Sequence, residues 1–138
     1  MAVNIFAYGT LMFPEIWEKV VGCKYHGIEA SISGYQRKRI KDKTYPALIP
    51  GKRYDTVDGI LYLDVSPEHV LVLDRFEGQC YEKIQVKCKT FEGKILPAVA
   101  YLFRQEYSVL VQDEPWEPKW FQENGMGHFM EHYEGFSR

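Results

Sequence analysis

The spacing of apolar residues predicts a strand followed by a helix at the start of the chain. A run of mostly apolar residues over 3–8 is typical of a short buried strand. Between Ile16 and Val21 the apolar positions fall on one face of a helix. Pro14 suits its first turn, because proline lacks an N–H that a helix start leaves unpaired, and Gly22 is expected to end it.

The middle of the chain has the pattern of strands. Branched residues and glycine breaks predict strands near 25–33 and 35–41, followed by a loop into 45–50. Little helical periodicity is visible across this part of the sequence. Several short strands in succession favour an antiparallel sheet.

A strand and a second helix follow. The segment 56–65 alternates, which predicts Tyr62 on one face and Val65 on the other. Ser66, followed by a proline and an acid, has the features of a helix N-cap. Gly78 is expected to end that helix.

The last third of the chain predicts a hairpin and an aromatic tail. The segment 81–91 alternates and is expected to pair with 94–103 across a short turn. Residues 113–120, "DEPWEPKW", are interpreted as a loop, and the last part of 120–136 as a helix that packs over the sheet. The resulting order predicts an α+β fold with a mostly antiparallel, strongly curved sheet or small mixed β-barrel flanked by helices.

Composition limits the classes of function. The 138 residues suit one domain, 1–138, and a net charge of −2 gives no attraction to nucleic acid or anionic membranes. No apolar run approaches the length of about 18 residues that a membrane span needs, and no signal peptide is recognised. The three cysteines lack metal-type spacing. We therefore expect a cytoplasmic protein with reduced thiols, no metal and no membrane partner.

The turn Tyr8-Gly9-Thr10-Leu11 is the first candidate site. It lies between a strand and a helix, where backbone N–H groups can point outward together and hold an anion. Gly9 permits either a positive φ or a close approach of another group. No phosphate-loop or dinucleotide motif accompanies the turn, so an ordinary tight turn stays open as the alternative.

Glu77 is the second candidate. It follows Phe76 at the end of an amphipathic helix, so its carboxyl group is expected to lie beside apolar surface. Desolvation raises the pKa of such a carboxyl group, which allows it to act as a base near neutral pH. A solvated acid near the helix end is the alternative interpretation.

A basic strand and a histidine pair are further candidates for binding sites. Arg37, Arg39 and Lys41 share one face of a predicted strand, which suggests either nucleic acid binding or, with nothing else in support, a solvated strand. One of these side chains could also reach a substrate carboxylate. His128 and His132 fit an H-x-x-E-H zinc pattern, but zinc needs a third protein ligand. Glu134 follows closely, whereas the upstream His26 and His69 have no supporting pattern, so a surface or partly buried terminal helix is the favoured interpretation.

A nucleophilic cysteine is a further candidate. Cys80 stands beside Tyr81, but no histidine partner for it can be placed from the sequence. A merely buried thiol is therefore the favoured interpretation.

Taken together, the motifs resemble those of one family. "FAYGTLM", "GYQRKRI", "TYPALIPG", "VDGILYLDV" and "LDRFEGQCYEK" occur in this order over about 3–103. In order and spacing they are similar to the γ-glutamylcyclotransferase-like superfamily, which includes plant avirulence-induced-gene-like proteins and γ-glutamylamine cyclotransferases. The aromatic extension, about 105–138, has no firm counterpart in the smallest members, although its "YEGF" ending is similar to that of some others.

The resemblance implies a small mixed β-barrel with a pocket at one mouth. It implies that the backbone of Tyr8-Gly9-Thr10-Leu11 binds the glutamyl end of a substrate, that Glu77 is the general acid/base, and that Tyr81 lines the site. Tyr45 is expected near the leaving group, together with the aromatic tail. A non-catalytic member that binds a small carboxylate-bearing ligand is the alternative.

The implied reaction is an intramolecular cyclisation. The α-amine of a small-molecule γ-glutamyl substrate attacks its own γ-carbonyl, and 5-oxoproline and an amine, amino acid or peptide result. Because the nucleophile is tethered, positioning supplies much of the rate, and no cofactor is expected. The identity of the leaving group and the choice between monomer and homodimer stay open.

Overall fold

A five-stranded closed barrel forms the centre of the computed structural model, which describes residues 1–133. The strands lie in the order β1-β5-β2-β6-β7 around the barrel. Their bounds are Val3–Ala7 for β1, Gly27–Ser33 for β2, Thr56–Val65 for β5, Tyr81–Thr90 for β6 and Ile95–Phe103 for β7. The hairpin predicted for the last two strands is confirmed, with Tyr81 opposite Phe103 and Lys89 opposite Ile95.

The barrel is mixed but mostly antiparallel. The strand β1 runs antiparallel to β5 and parallel to β7, where Ile5 lies opposite Val99 and closes the barrel. The other neighbouring pairs of barrel strands are antiparallel. With helices on its outside, the molecule has the α+β, small mixed β-barrel architecture that the sequence predicts.

A second, three-stranded sheet lies beside the barrel in the order β4-β3-β8. Its strands are Tyr35–Ile40 (β3), Pro46–Pro50 (β4) and Val111–Pro115 (β8). The loop interpretation of 113–120 is wrong for most of its length, because β8 ends at Pro115 and a helix begins at Pro118. Within residues 1–133 this strand pairs with β3 alone, and it is largely exposed, so no alternation marks it in the sequence.

Four α-helices flank the strands in the described chain: α1 (Pro14–Val21), α2 (Pro67–Glu77), α3 (Pro118–Asn124) and α4 (Met126–His132). The predicted capping of α2 is confirmed, since the Ser66 side chain accepts a hydrogen bond from the backbone N–H of His69 at 3.4 Å. None of the helices in this part of the chain is long and apolar enough to cross a membrane.

An irregularity in β5 changes which face Val65 occupies. Asp64 has a φ of 54°, and the register with β1 shifts between Val3 and Ile5. The extra residue turns the end of the strand, so Val65 packs in the same cluster as Tyr62 instead of on the opposite face. The strict alternation predicted for 56–65 is therefore wrong at its last position.

Two apolar clusters stabilise this arrangement. One consists of barrel residues with Leu48 of β4, centred on Phe6 and Leu61, and contains no helical residue among its buried members. The other joins the barrel to the helices, and in it Trp17 of α1 stacks on Tyr62 with ring centroids 3.7 Å apart. The described part of the tail packs against this second cluster, in which Phe121 of α3 is buried and Phe129 of α4 is partly buried.

Candidate functional site

The turn after β1 is shaped by close packing. Tyr8 is buried and its hydroxyl group donates a hydrogen bond to the carbonyl oxygen of Tyr101 at 2.6 Å. Gly9 has a φ of −122°, so it does not use the left-handed region. A methyl group on Gly9 would instead lie 2.8 Å from Cγ of Pro46. Of the two reasons for glycine given by the sequence, close approach is the one that applies.

Beyond Gly9 the chain forms a single 3₁₀ turn, Thr10–Met12. The N–H groups of Met12 and Phe13 donate to the carbonyl oxygens of Gly9 and Thr10 at 2.9 and 3.2 Å. In the described chain, nothing accepts a hydrogen bond from the backbone N–H groups of Gly9, Thr10 or Leu11. Three adjacent donors are thus available to a ligand.

Arg37 supports the turn from β3. Its Nη1 atom donates to the carbonyl oxygen of Tyr8 at 2.8 Å and to that of Asp58 at 3.0 Å. The guanidinium group also lies over the Trp116 ring, 5.3 Å from its centroid. Arg39 likewise lies 3.9 Å from the centroid of Trp120. The solvated-strand interpretation is therefore wrong for these two arginines, which pack on aromatic rings.

Glu77 ends α2, because Gly78 adopts a φ of 78° and turns the chain away. The carboxyl group lines an apolar cavity, and no described residue donates a hydrogen bond to it. Burial, first, and the negative charge of Asp74, second, raise the pKa of Glu77 from 4.5 to about 8. The carboxyl group can therefore gain and lose a proton near neutral pH.

Three tyrosines surround this carboxyl group, and each uses its hydroxyl group as a donor. Tyr8 donates to the backbone as described, and Tyr81 donates to the carbonyl oxygen of Pro46 at 2.7 Å. Tyr101 donates to Oδ1 of Asp74 at 2.7 Å. Burial is the largest cause of the raised pKa of all three, and the charge of Glu77 adds to it. They are neutral donors at physiological pH.

A cavity of about 430 Å³ brings together the site residues that the family resemblance implies. Those that line it are Tyr8, Gly9, Thr10, Leu11, Tyr45, Glu77 and Tyr81. Tyr45 is 40% exposed and stands at the rim, whereas Tyr81 is buried. The volume is within the range of about 300–1,000 Å³ that is typical of small-molecule sites.

The cavity also contains residues that no sequence motif marked. They include Tyr101 of β7, Phe121 of α3 and Phe129 of α4, and Lys43 at the rim. Tyr101 lies directly across the hairpin from Lys83, on the same face of the sheet, so the register of the predicted hairpin is the signal that could have placed it. Cys80 lines the cavity as well, and no histidine is among the described residues that do so.

Comparison with known proteins identifies the family. A sequence profile described as gamma-glutamyl cyclotransferase, AIG2-like, matches residues 5–118. The chain belongs to this family. It is 29% identical over 83 residues to AIG2-like protein A of Arabidopsis thaliana, a match that covers 60% of this chain. The same match covers 50% of the relative, so the chain spans about half the length of that AIG2-like protein.

Solved structures share the AIG2-like fold. An Arabidopsis thaliana protein determined in solution superposes with a TM-score of 0.74 at 20% identity, covering 95% of this chain and 79% of that one. A structure named gamma-glutamyl cyclotransferase superposes with a TM-score of 0.70 at 18% identity, covering 100% and 91%. At these identities the likeness establishes the γ-glutamylcyclotransferase-like fold.

The histidine pair of this AIG2-like chain lies outside the cavity. His128 and His132 are exposed on α4, with ring centroids 4.1 Å apart, and Nδ1 of His132 lies 2.9 Å from the carbonyl oxygen of His128. Over residues 1–133, no three His, Cys, Asp or Glu side chains are grouped to hold a metal ion. Glu134 and the "YEGF" ending beyond Tyr133 lie outside the described residues.

Proposed function

We propose that this chain is a γ-glutamylcyclotransferase-type enzyme that converts a γ-glutamyl amine, amino acid or peptide to 5-oxoproline and a free amine. One observation carries the proposal: Glu77, with its raised pKa, lines the same cavity as the Gly9–Leu11 turn, whose three N–H groups have no acceptor in the described chain. The family membership supports the same chemistry.

The turn binds the glutamyl end of the substrate in this proposal. Its N–H groups donate either to the α-carboxylate or to the oxygen of the γ-carbonyl, on which negative charge develops during attack. Tyr81 and Tyr8 form the buried wall beside it. Holding amine and carbonyl of one molecule in contact then supplies much of the rate.

Glu77 transfers the proton. In its ionised form it accepts a proton from the α-amine while the amine nitrogen forms a bond to the γ-carbon. It then gives that proton to the departing nitrogen as the original C–N bond breaks, so the atoms balance without water or cofactor. With a pKa of about 8, roughly a tenth of the Glu77 carboxyl groups are ionised at pH 7.

The alternative is a non-catalytic member that uses the same cavity to bind a small carboxylate-bearing ligand. An assay of 5-oxoproline release from a panel of γ-glutamyl amines, amino acids and peptides, including γ-glutamyl-ε-lysine and glutathione, separates the two. Release from at least one compound supports the enzyme. Silence on all, with saturable binding of one, supports the binding protein.

The cellular setting belongs to the same proposal. The described cysteines are free thiols, and Cys23 among them is exposed. Free thiols suit a reducing compartment, so we propose that the enzyme acts in the cytoplasm. In this proposal it binds a small-molecule γ-glutamyl substrate and no nucleic acid, and it acts as a monomer or homodimer.

A further inference from the structure

Much of the cavity surface is not used by the cyclisation chemistry. It is mostly formed by phenylalanine rings, with one leucine, and we call these five residues the aromatic wall: Leu110, Phe76, Phe103, Phe121 and Phe129. The last two come from residues 111–133, the C-terminal segment, which follows the hairpin that carries Tyr101. The acid–base group and the turn are separate members of the lining, so these five side chains are free to contact another portion of a bound molecule.

The C-terminal segment is firmly attached to one side of the cavity. The indole Nε1 of Trp116 donates to the carbonyl oxygen of Thr44 at 2.6 Å, and Trp116 packs against Phe121 with ring centroids 6.0 Å apart. A methyl group on Gly125 would lie 2.8 Å from Cβ of Thr44, so the glycine permits the close contact. Tyr45, at the rim, directly follows that threonine.

The same segment also reaches the helix that carries the proposed base. The Phe129 ring meets the Phe76 ring edge-on, with centroids 5.9 Å apart. Phe76 immediately precedes Glu77 in α2. The wall is therefore adjacent to the carboxyl group, where the departing nitrogen must receive its proton.

Few charges face this space. Among the described lining residues, Glu77 and Lys43 are the charged ones, and Lys43 is exposed at the rim. A carboxylate on the leaving amine would have one group of opposite charge to pair with, the solvated Lys43. A positive charge on the leaving amine would have only the proposed base, Glu77. An alkyl or aromatic group would cover the apolar rings and remove them from water.

We propose that the aromatic wall binds the leaving amine and that the enzyme prefers γ-glutamyl compounds whose leaving amine is uncharged and apolar apart from its nitrogen. The inference rests on the proposed function and adds the class of substrate. It also assigns a role to α3 and α4, since the wall is incomplete without Phe121 and Phe129.

Steady-state kinetics on two substrates test the proposed preference for an apolar leaving amine. The substrates are γ-glutamyl-isopentylamide and γ-glutamylglycine, assayed by 5-oxoproline release with wild type and Phe129→Ala. Phe129 is only partly buried, so its truncation is milder than that of Phe121, and Phe129→Met is the more conservative second variant. Phe91→Ala is the matched control, because Phe91 is 74% exposed and does not line the cavity.

The wild type is expected to favour the isopentylamide in kcat/KM by about tenfold or more, as expected for several methylenes in an apolar pocket. Phe129→Ala should lower that ratio about threefold to tenfold, chiefly through KM for the isopentylamide, while Phe91→Ala leaves it unchanged. Equal or better turnover of γ-glutamylglycine by the wild type overturns this inference alone. No 5-oxoproline from either substrate, or from the wider panel, overturns the proposed function and this inference with it.

Discussion

Glu77 and Asp74 lie one helical turn apart on α2, and their carboxyl groups have different surroundings. Asp74 accepts hydrogen bonds from the Tyr101 hydroxyl group at 2.7 Å and from the Lys83 ammonium group at 3.1 Å. The Glu77 carboxyl group has no such donor among the described residues. A fixed negative charge thus stands beside a group that is poorly solvated, which favours the protonated form of Glu77.

Asp74→Asn should therefore lower the pKa of Glu77. The charge of Asp74 contributes to its raised value, so removing that charge favours the ionised form. The ascending limb of kcat/KM against pH is expected to move to lower pH in this variant. Tyr101→Phe, which removes the hydrogen bond but keeps the Asp74 charge, is the control. An unchanged or alkaline-shifted limb in Asp74→Asn would contradict the assignment.

Gly9 offers a second test at the scale of one residue. Gly9→Ala places a methyl group 2.8 Å from Cγ of Pro46 and should lower the free energy of unfolding by about 1–3 kcal/mol. Pro46→Ala removes the clashing atom, so the double variant is expected to recover part of the loss relative to Pro46→Ala alone. Chemical denaturation of the four proteins measures this coupling. If the two changes in the free energy of unfolding are strictly additive, the contact with Pro46 is not the reason that position 9 requires glycine.

At the scale of elements, Arg37 connects three strands. Its side chain starts on β3 and donates to carbonyl groups at the end of β1, on Tyr8, and in β5, on Asp58. A solvated basic strand was the sequence interpretation, because charge runs are usually exposed and nothing in the local pattern marks two distant carbonyl acceptors. Only the tertiary structure brings them within reach.

Arg37→Met should weaken the turn and the fold together. Leaving the Tyr8 and Asp58 carbonyl groups without their donor is expected to cost about 1–3 kcal/mol of stability and to raise KM for a γ-glutamyl substrate. Arg37→Lys retains a charged donor and should lose less in both measurements. Urea denaturation and steady-state kinetics provide the comparison. Wild-type stability and KM in Arg37→Met would rule out this role.

The elements that could be predicted are those with strong local signals. Capping at Ser66 and the glycine at 78 mark both ends of α2, and alternation marks the hairpin of β6 and β7. The strands β4 and β8 lacked such signals, since β4 is flanked by prolines and β8 is a short, exposed edge strand. The face of Val65 was misassigned because a bulge at Asp64 breaks the period of two.

At the scale of the whole molecule, the site depends on contacts between distant parts of the chain. The turn after β1 and the end of α2 were recognisable as candidates because each motif is continuous in sequence. Tyr101, Phe121 and Phe129 reach the same cavity through strand pairing and helix packing, which no continuous motif records. Single-sequence reasoning therefore located the proposed chemistry and expected the aromatic tail near the leaving group, but it could not say which side chains of the tail line the cavity.

The raised pKa of Glu77 also has a consequence for global stability. Unfolded, the carboxyl group titrates near 4.5, and folded, near 8, so the folded state holds the proton more tightly between these values. This contribution to stability is fully present below pH 4.5 and is lost as pH rises through 8. The side chain introduced by Glu77→Gln does not titrate, so the stability of this variant lacks this pH-dependent contribution.

Glu77→Gln should therefore become more stable relative to wild type as pH rises from 5 to 8.5. The expected change is on the order of 2–4 kcal/mol in the free energy of unfolding, measured by urea denaturation at each pH. Glu68→Gln changes an exposed glutamate at the start of the same helix and should follow the wild type. A constant difference between Glu77→Gln and wild type across this range would argue against the buried, protonated carboxyl group.

The most direct test of the account is 5-oxoproline release by Glu77→Gln, Glu68→Gln and wild type on the best substrate of the γ-glutamyl panel. The account predicts that Glu77→Gln binds this substrate with little change in affinity but loses kcat by a factor of about 10²–10⁴, as expected for loss of a general acid–base group. Glu68→Gln should retain wild-type kcat. Turnover by folded Glu77→Gln at the wild-type rate would contradict the assignment of Glu77 as the catalytic group.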